Sequence, residues 1–212
     1  MKILVFGASG MVGQGAVRES LLAPDVSEVI VVVRQALELT HPKLRQLVVD
    51  DLLDLSQHRA HLKDVNACFF CIGASASGMS AEAYKKLTHG LTLAVANKLL
   101  DMNARMVFVY VSGAGADSTE RNGRMWARVR GQTENAVLRL PFANSFILRP
   151  ALIEAYREVA GRFEAYSAAA RRALEDAFLP GVLPRPRPAP APAALDRAGV
   201  RPEHAIAGRS DA

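Results

Sequence analysis

Up to about residue 150, short unbroken apolar runs alternate with stretches in which apolar residues recur every three or four positions. The runs are KILVF (2–6), EVIVVV (28–33), QLVV (46–49), NACFFCI (66–72), ARMVFVYV (104–111) and NSFIL (144–148). Several are rich in β-branched residues. Unbroken rather than alternating hydrophobicity fits strands covered on both faces. Between them the helical period predicts four helices. The first runs from Gly10 to about Leu22 and is stopped by Pro24; a short one lies near 55–62. The third runs from Ser80 to about Asp101, with Leu87, Leu91, Val95 and Leu99 on one face. The fourth covers about 123–140, with Trp126, Val129, Val137 and Leu140 as its inner stripe. Strand and helix in alternation predict an α/β fold built on a doubly wound parallel sheet of about six strands.

The texture changes near Ala151. Leu152, Tyr156, Val159, Phe163, Tyr166 and Leu174 keep helical spacing and predict a C-terminal helical extension over 151–180. Residues 181–212 hold 8 Ala, 6 Pro, 5 Arg and 3 Gly and no aromatic residue. Such a stretch has too little apolar surface to offset its ordering entropy, which predicts a disordered tail. The first 150 residues therefore form the domain that carries the chemistry.

Composition narrows the function classes. The chain has 212 residues, half of them hydrophobic and 22% charged, the balance of an ordinary globular protein. The net charge of +5 comes from 20 Arg against 6 Lys, spread along the chain rather than clustered, which argues for a solvated basic surface and against nucleic acid as a partner. No apolar run approaches the ~18 residues of a membrane span. Met1-Lys2 precedes only four apolar residues before Gly7, too few for a secretory signal, and two cysteines make no disulfide framework. These features lead to the expectation of a cytoplasmic protein without membrane contact. Cys68 and Cys71 are three apart within a strand, so they face opposite sides of the sheet and cannot share a metal. His58 and His61 lack a third ligand nearby, and no metal site is expected.

The most informative stretch is LVFGASGMVGQG, which sets Gly7, Gly10 and Gly13 between the first strand and the first helix. Gly7 permits a tight turn out of the strand. Gly10 lets backbone N–H groups approach a phosphate, and Gly13 lets the helix pack against the sheet with its N-terminus facing the negative charge. In a strand–turn–helix context this predicts dinucleotide binding. An Asp or Glu at the end of the second strand would hydrogen-bond a ribose 2′-OH, but VVVRQ places Arg34 and Gln35 there. An Arg suits a 2′-phosphate, so NADP(H) is expected in preference to NAD(H). Asp50 and Asp51 follow the third strand, where they suit either the adenine edge or the cap of the next short helix.

GASGxxG at the N-terminus, DDL after the third strand, CIG ending the fourth, YVSGAG on the fifth and FILRP on the sixth together resemble the short-chain dehydrogenase/reductase superfamily. The chain looks closest to its atypical branch, the NmrA-like and Tat-interacting-protein-like NAD(P)H-binding proteins, often described as NAD-dependent epimerase/dehydratase-like. The resemblance covers about residues 1–150 and implies a Rossmann-like domain. It implies that Gly7, Ser9, Gly10, Met11, Val12 and Gly13 cradle the pyrophosphate and that Arg34 takes the adenosine phosphate. Asp51 and Leu52 would border the adenine, and Ile72, Gly73 and Ala74 would pass beneath the cofactor. Ser112 falls at the family's catalytic serine. The family's Tyr-x-x-x-Lys pair maps onto Trp126 and Arg130. Arg130 can still hold a ribose, whereas the Trp126 indole donates a hydrogen bond but delivers no proton near neutral pH.

Two functions fit this pattern. One is an oxidoreductase or epimerase/dehydratase-like enzyme acting on a small carbonyl or hydroxyl substrate, with Ser112 and a proton from Tyr110, Tyr84 or water. The other is a catalytically silent NADP(H) sensor whose occupancy is read by a protein partner.

Overall fold

In a computed structural model, the structure describes residues 1–121 and 123–151. The expected helical extension and Pro/Ala/Arg-rich tail lie outside the described residues. Six strands, β1 (Lys2–Phe6), β2 (Glu28–Val33), β3 (Leu44–Val48), β4 (Ala67–Phe70), β5 (Val107–Val111) and β6 (Asn144–Leu148), form one all-parallel sheet in the order β3-β2-β1-β4-β5-β6. The chain walks outward from β1 in one direction and then from β4 in the other. This reversal leaves a crevice beyond the carboxyl ends of β1 and β4, the Rossmann-like arrangement in which ligands bind.

Alternation along the strands builds two cores. Ile3, Val5, Val29 and Val31 face α1 (Met11–Leu22), where Val17 and Leu21 close over them. Leu4, Phe6, Ile30, Cys68, Phe70, Phe108 and Tyr110 face the opposite layer. That layer contains α2 (Arg59–Leu62), α4 (Leu91–Met102) and α5 (Met125–Leu138). Phe6, Phe70 and Phe108 run across this face with centroids 5.6 and 6.0 Å apart. Cys68 packs in the second core and Cys71 against the first, so the two thiols do point to opposite faces. Burial pushes the Cys68 thiol well above its ordinary value and that of Cys71 up to about 12, leaving both neutral.

Three departures from the sequence pattern have physical causes. β3 begins at Leu44, because Arg45 and Gln46 pair with Ile30 and Val31 even though they are polar. As an edge strand, β3 can expose such side chains: Arg45 binds Glu28, and Gln46 holds the backbone of Leu37 and Leu39 beneath the loop that follows Arg34. The long third helix is interrupted. A short α3 (Ala81–Lys85) passes into a π-turn over Lys86–Gly90 before α4 begins. The extra residue rotates Leu87 out of the inner stripe, and it is 45% exposed. Finally, Trp126 is half-buried and belongs to neither core. The buried positions of α5 are Ala127, Val129, Gly131, Thr133, Glu134 and Val137.

Candidate functional site

The turn Gly7–Gly10 leaves β1 with Gly7 at φ +76°, a conformation that favours glycine. A Cβ on Gly7 would lie 2.8–2.9 Å from the backbone of Cys71 and Ile72, so the exits of β1 and β4 touch there. A Cβ on Gly13 would lie 2.0 Å from the Gly7 carbonyl oxygen. The two glycines thus press the first turn of α1 onto the strand exit. Gly10 caps that helix without any side-chain hydrogen bond, and no acidic residue sits in its first turn. The amides of Met11, Val12 and Gly13 therefore present the positive end of the helix dipole to the crevice.

A cleft of about 370 Å³ opens there. Its floor is Gly7, Ala8, Ser9 and Gly10, and one wall is Val32, Val33 and Arg34 at the end of β2. The other side is Cys71, Ile72 and Gly73, with Leu52, Leu87 and Leu91 supplying apolar cover. Arg34 is exposed and is absent from the ion pairs of the described residues. Asp51 neither lines the cleft nor caps the next helix: its Oδ1 accepts a bond from the Leu53 amide at 2.8 Å within the turn after β3, and the helical turn that begins at Ser56 has no side-chain cap, while Leu52 faces the cleft. Ala74 lies just beyond the lining, in the loop leaving β4.

A larger void of about 490 Å³ sits at the opposite, amino-terminal edge of the sheet, around Lys2, Glu28 and Arg45. It lacks a glycine turn, and its central carboxylate is already engaged: Arg45, with help from Lys2, holds Glu28 below the usual carboxylate range. The crevice at the strand reversal is the better candidate on chemistry.

The expected catalytic positions gather at the exits of β4 and β5. Ser112 follows Phe108 and Tyr110 on the α5 side of the sheet; it is 5% exposed, and its Oγ has no hydrogen-bond partner. Arg130 extends from α5 and donates from Nε to the Tyr84 Oη at 3.2 Å. Its guanidinium is set between two glycines: a Cβ on Gly73 would lie 3.7 Å from Nη2, and one on Gly113 3.6 Å from Nη1. Trp126 lies one turn earlier, against the loop after β5, where a Cβ on Gly115 would sit 3.1 Å from its ring. Tyr110 is buried behind this group. Burial is the main cause that pushes its phenol up to about 12, opposed by Arg130 and by a hydrogen bond with Thr133.

Sequence reasoning did not anticipate Val32, Val33, Leu87, Leu91 and Gly113. A glycine inside a helical pattern, Gly90, was the one available sign that the Leu87 face would turn. The fit of a dinucleotide rests on three observations: an uncapped helix, glycines whose Cβ would fill the cradle, and an orphaned buried hydroxyl at the far end. Among the described residues, no group of three His, Cys, Asp or Glu side chains could hold a metal, and no helix is long and apolar enough to cross a membrane.

This geometry is that of a dinucleotide-binding α/β protein. The comparisons give the family: residues 7–169 match the NAD(P)H-binding family model, and the chain belongs to that family. A relative from Aspergillus terreus, named as the mitochondrial protein fmp52-1, is 29% identical over 170 residues, covering 77% of this chain and 71% of its own. A short-chain dehydrogenase from Burkholderia cenocepacia, solved in complex with NADP, shares the fold with a TM-score of 0.57 at 16% identity, over 84% of this chain and 97% of that one. A UDP-glucose 4-epimerase from Thermotoga maritima aligns with a TM-score of 0.52 at 18% identity, over 70% of this chain. This chain spans about half of that epimerase, 55% of its length. The resemblance to the atypical dehydrogenase/reductase branch thus agrees with both family and fold. The cytoplasmic expectation is corrected, because relatives from several fungi are named mitochondrial. The sequence features behind that expectation do not distinguish cytosol from organelle.

Proposed function

We propose that the cleft binds NADP(H) in preference to NAD(H). We further propose that the chain acts as an oxidoreductase or epimerase/dehydratase-like enzyme on a small carbonyl or hydroxyl substrate. The observation that carries this reading is the uncapped N-terminus of α1, pressed onto Gly7, opening into a cleft whose opposite wall ends in Arg34. The amides of Met11 and Val12, with Ser9, would hold the pyrophosphate, and Leu52 and Ile72 would flank the adenine. Arg34 would pair with the 2′-phosphate. Arg130 would hold the nicotinamide ribose, beside which Gly73 and Ala74 leave room. When bound, the cofactor supplies or accepts the hydride. Ser112 would donate its hydroxyl proton as a hydrogen bond to the substrate oxygen, stabilising negative charge there. Tyr110 is a poor acid near neutral pH; the other candidates for the proton are Tyr84, whose Oη accepts from Arg130 Nε, and a water.

The test is a titration of wild type and Arg34→Ala with NADPH and NADH. A charge-assisted pair to the 2′-phosphate contributes about 1.5–3 kcal/mol, so NADPH should bind more than about tenfold tighter to wild type, and the advantage should vanish in the variant. Equal wild-type affinities would refute the preference.

A second reading is favoured by one residue. By the resemblance Trp126 takes the position of the family's proton donor, and an indole N–H does not titrate near neutral pH. On that reading the chain is a silent NADP(H) sensor read by a protein partner. NADPH binding without turnover on any member of a broad carbonyl panel is its expected signature.

A further inference from the structure

We infer that Arg130 and Ser112 form a binding site for a small carboxylate at the exits of β4 and β5, beyond Gly73 at the edge of the cleft. The inference rests on the reading that the rest of the cleft holds the dinucleotide. Arg130 is half-buried, yet no carboxylate pairs with it: the ion pairs among the described residues are Lys2–Glu28, Arg18–Glu19, Arg45–Glu28 and Arg149–Glu134. The acid nearest along its helix, Glu134, is held by Arg149. A cation taken partly out of water without a counter-charge is costly, and a bound anion would recover that cost.

The guanidinium is also directed. Nε is committed to Tyr84, Nη2 lies toward Gly73 at the exit of β4, and Nη1 lies toward Gly113 at the exit of β5. Glycine on both sides leaves hydrogen where a side chain would fill the space. Nη2 thus serves the cofactor side and Nη1 the side next to Ser112. Buried hydroxyls without a partner are exceptions in folded proteins. Here Ser112, whose Oγ is the orphan, adjoins Gly113 in the chain, and Phe108 and Tyr110, four and two residues before it, pack in the core that Val137 of α5 joins. One N–H of a planar cation and one O–H match the two oxygens of a carboxylate, and the charge-assisted bond discriminates it from an amide or ketone of the same shape. The neighbouring Tyr110 phenol stays protonated and brings no competing negative charge.

The probes are benzoate and its neutral counterpart benzamide, read by the fluorescence of the single tryptophan, Trp126, one helical turn before Arg130. Titrations are run with and without saturating NADPH. Benzoate should give a saturable change, with benzamide at least about tenfold weaker, the ratio expected for a charge-assisted bond. Arg130→Gln should remove the difference between the two probes. Arg130→Lys, which keeps the charge and loses the fork, should retain part of it. Ser112→Ala should weaken benzoate several-fold while leaving NADPH affinity unchanged. Equal binding of benzoate and benzamide, or a benzoate affinity indifferent to both Arg130→Lys and Ser112→Ala, would overturn the proposal. If benzoate discriminates through Arg130 while NADPH fails to bind, the dinucleotide reading falls and the carboxylate site stands. If NADPH binds and no carboxylate does, the reverse holds.

Discussion

The same substitution at two positions of α1 should have opposite effects. Gly13 and Gly15 both lie within this helix, where glycine costs about 0.5–1 kcal/mol relative to alanine. Around Gly15 there is nothing within 4 Å of where a Cβ would stand, so Gly15→Ala should collect that gain in full. For a chain of this size it amounts to a rise of roughly 1–4 °C in Tm. At Gly13 the added methyl would stand 2.0 Å from the Gly7 carbonyl oxygen and 2.6 Å from its carbon. Carbon contacts are optimal near about 3.5–4.0 Å, so the helix start and the strand exit must part by more than about 1 Å. Neither obstacle is the flexible end of a side chain. Over-packing of this kind costs about 1–3 kcal/mol or more, enough to reverse the helix gain. It also withdraws the Met11 and Val12 amides from the crevice, so NADPH affinity should fall by about tenfold or more in Gly13→Ala and stay unchanged in Gly15→Ala. Denaturant melts and NADPH titrations of the two variants make the test. If Gly13→Ala matches wild type in both, the close approach of helix and turn is not what the structure says it is.

Alkaline stability should report the buried phenol. Tyr110 is pushed up to about 12 from its ordinary 10.0, chiefly by burial, so the unfolded chain ionises first as pH rises. Its contribution is intact below pH 10 and is lost toward pH 12, at about 1.4 kcal/mol per pH unit within that window. Urea midpoints measured across it should fall less steeply in Tyr110→Phe, and identical slopes would refute the burial argument. Glu134 is 2% exposed and takes both the Nε and Nη2 of Arg149, which also reaches Ser118. Glu134→Ala leaves the partly exposed Arg149 without its partner and should cost about 1–3 kcal/mol in a denaturant melt, whereas Glu134→Leu with Arg149→Met should be nearer neutral; a loss below about 0.5 kcal/mol in the single variant would sink this account.

The fold was legible wherever burial alone decides the pattern. β1 and β2 are central strands covered on both faces, and their unbroken apolar runs match the observed bounds residue for residue. β3 was misplaced because an edge strand keeps its place by backbone pairing to β2, which polar Arg45 and Gln46 supply as well as valine does. The π-turn at Lys86–Gly90 was hidden for a related reason. Inserting one residue leaves local helical periodicity on either side intact and changes only which face each half presents. Leu87 therefore read as core and became cover for the cleft.

The glycine turn was legible in the sequence, but the way α5 organises the loops around Ser112 and Arg130 was not. Trp126, Arg130 and Glu134 are four residues apart and form one row along that helix. Each meets a different part of the carboxyl edge. Trp126 lies against Gly115, Arg130 sits between Gly73 and Gly113, and Glu134 takes the arginine that follows β6. Gly131 completes the arrangement, because a Cβ there would stand 1.8 Å from the Asp117 carbonyl oxygen. The loop after β5 passes over the helix there at a distance that leaves no room for a side chain. Sequence spacing reveals the row, but which loop each member receives depends on strand order, since β4, β5 and β6 are neighbours and end on the same side. On the proposed reading Trp126 and Arg130 take the places of the family's tyrosine and lysine, and the change is more than a lost acid. A fork-shaped cation replaces a point charge at the place where two strand exits meet, and it can address a ligand from each.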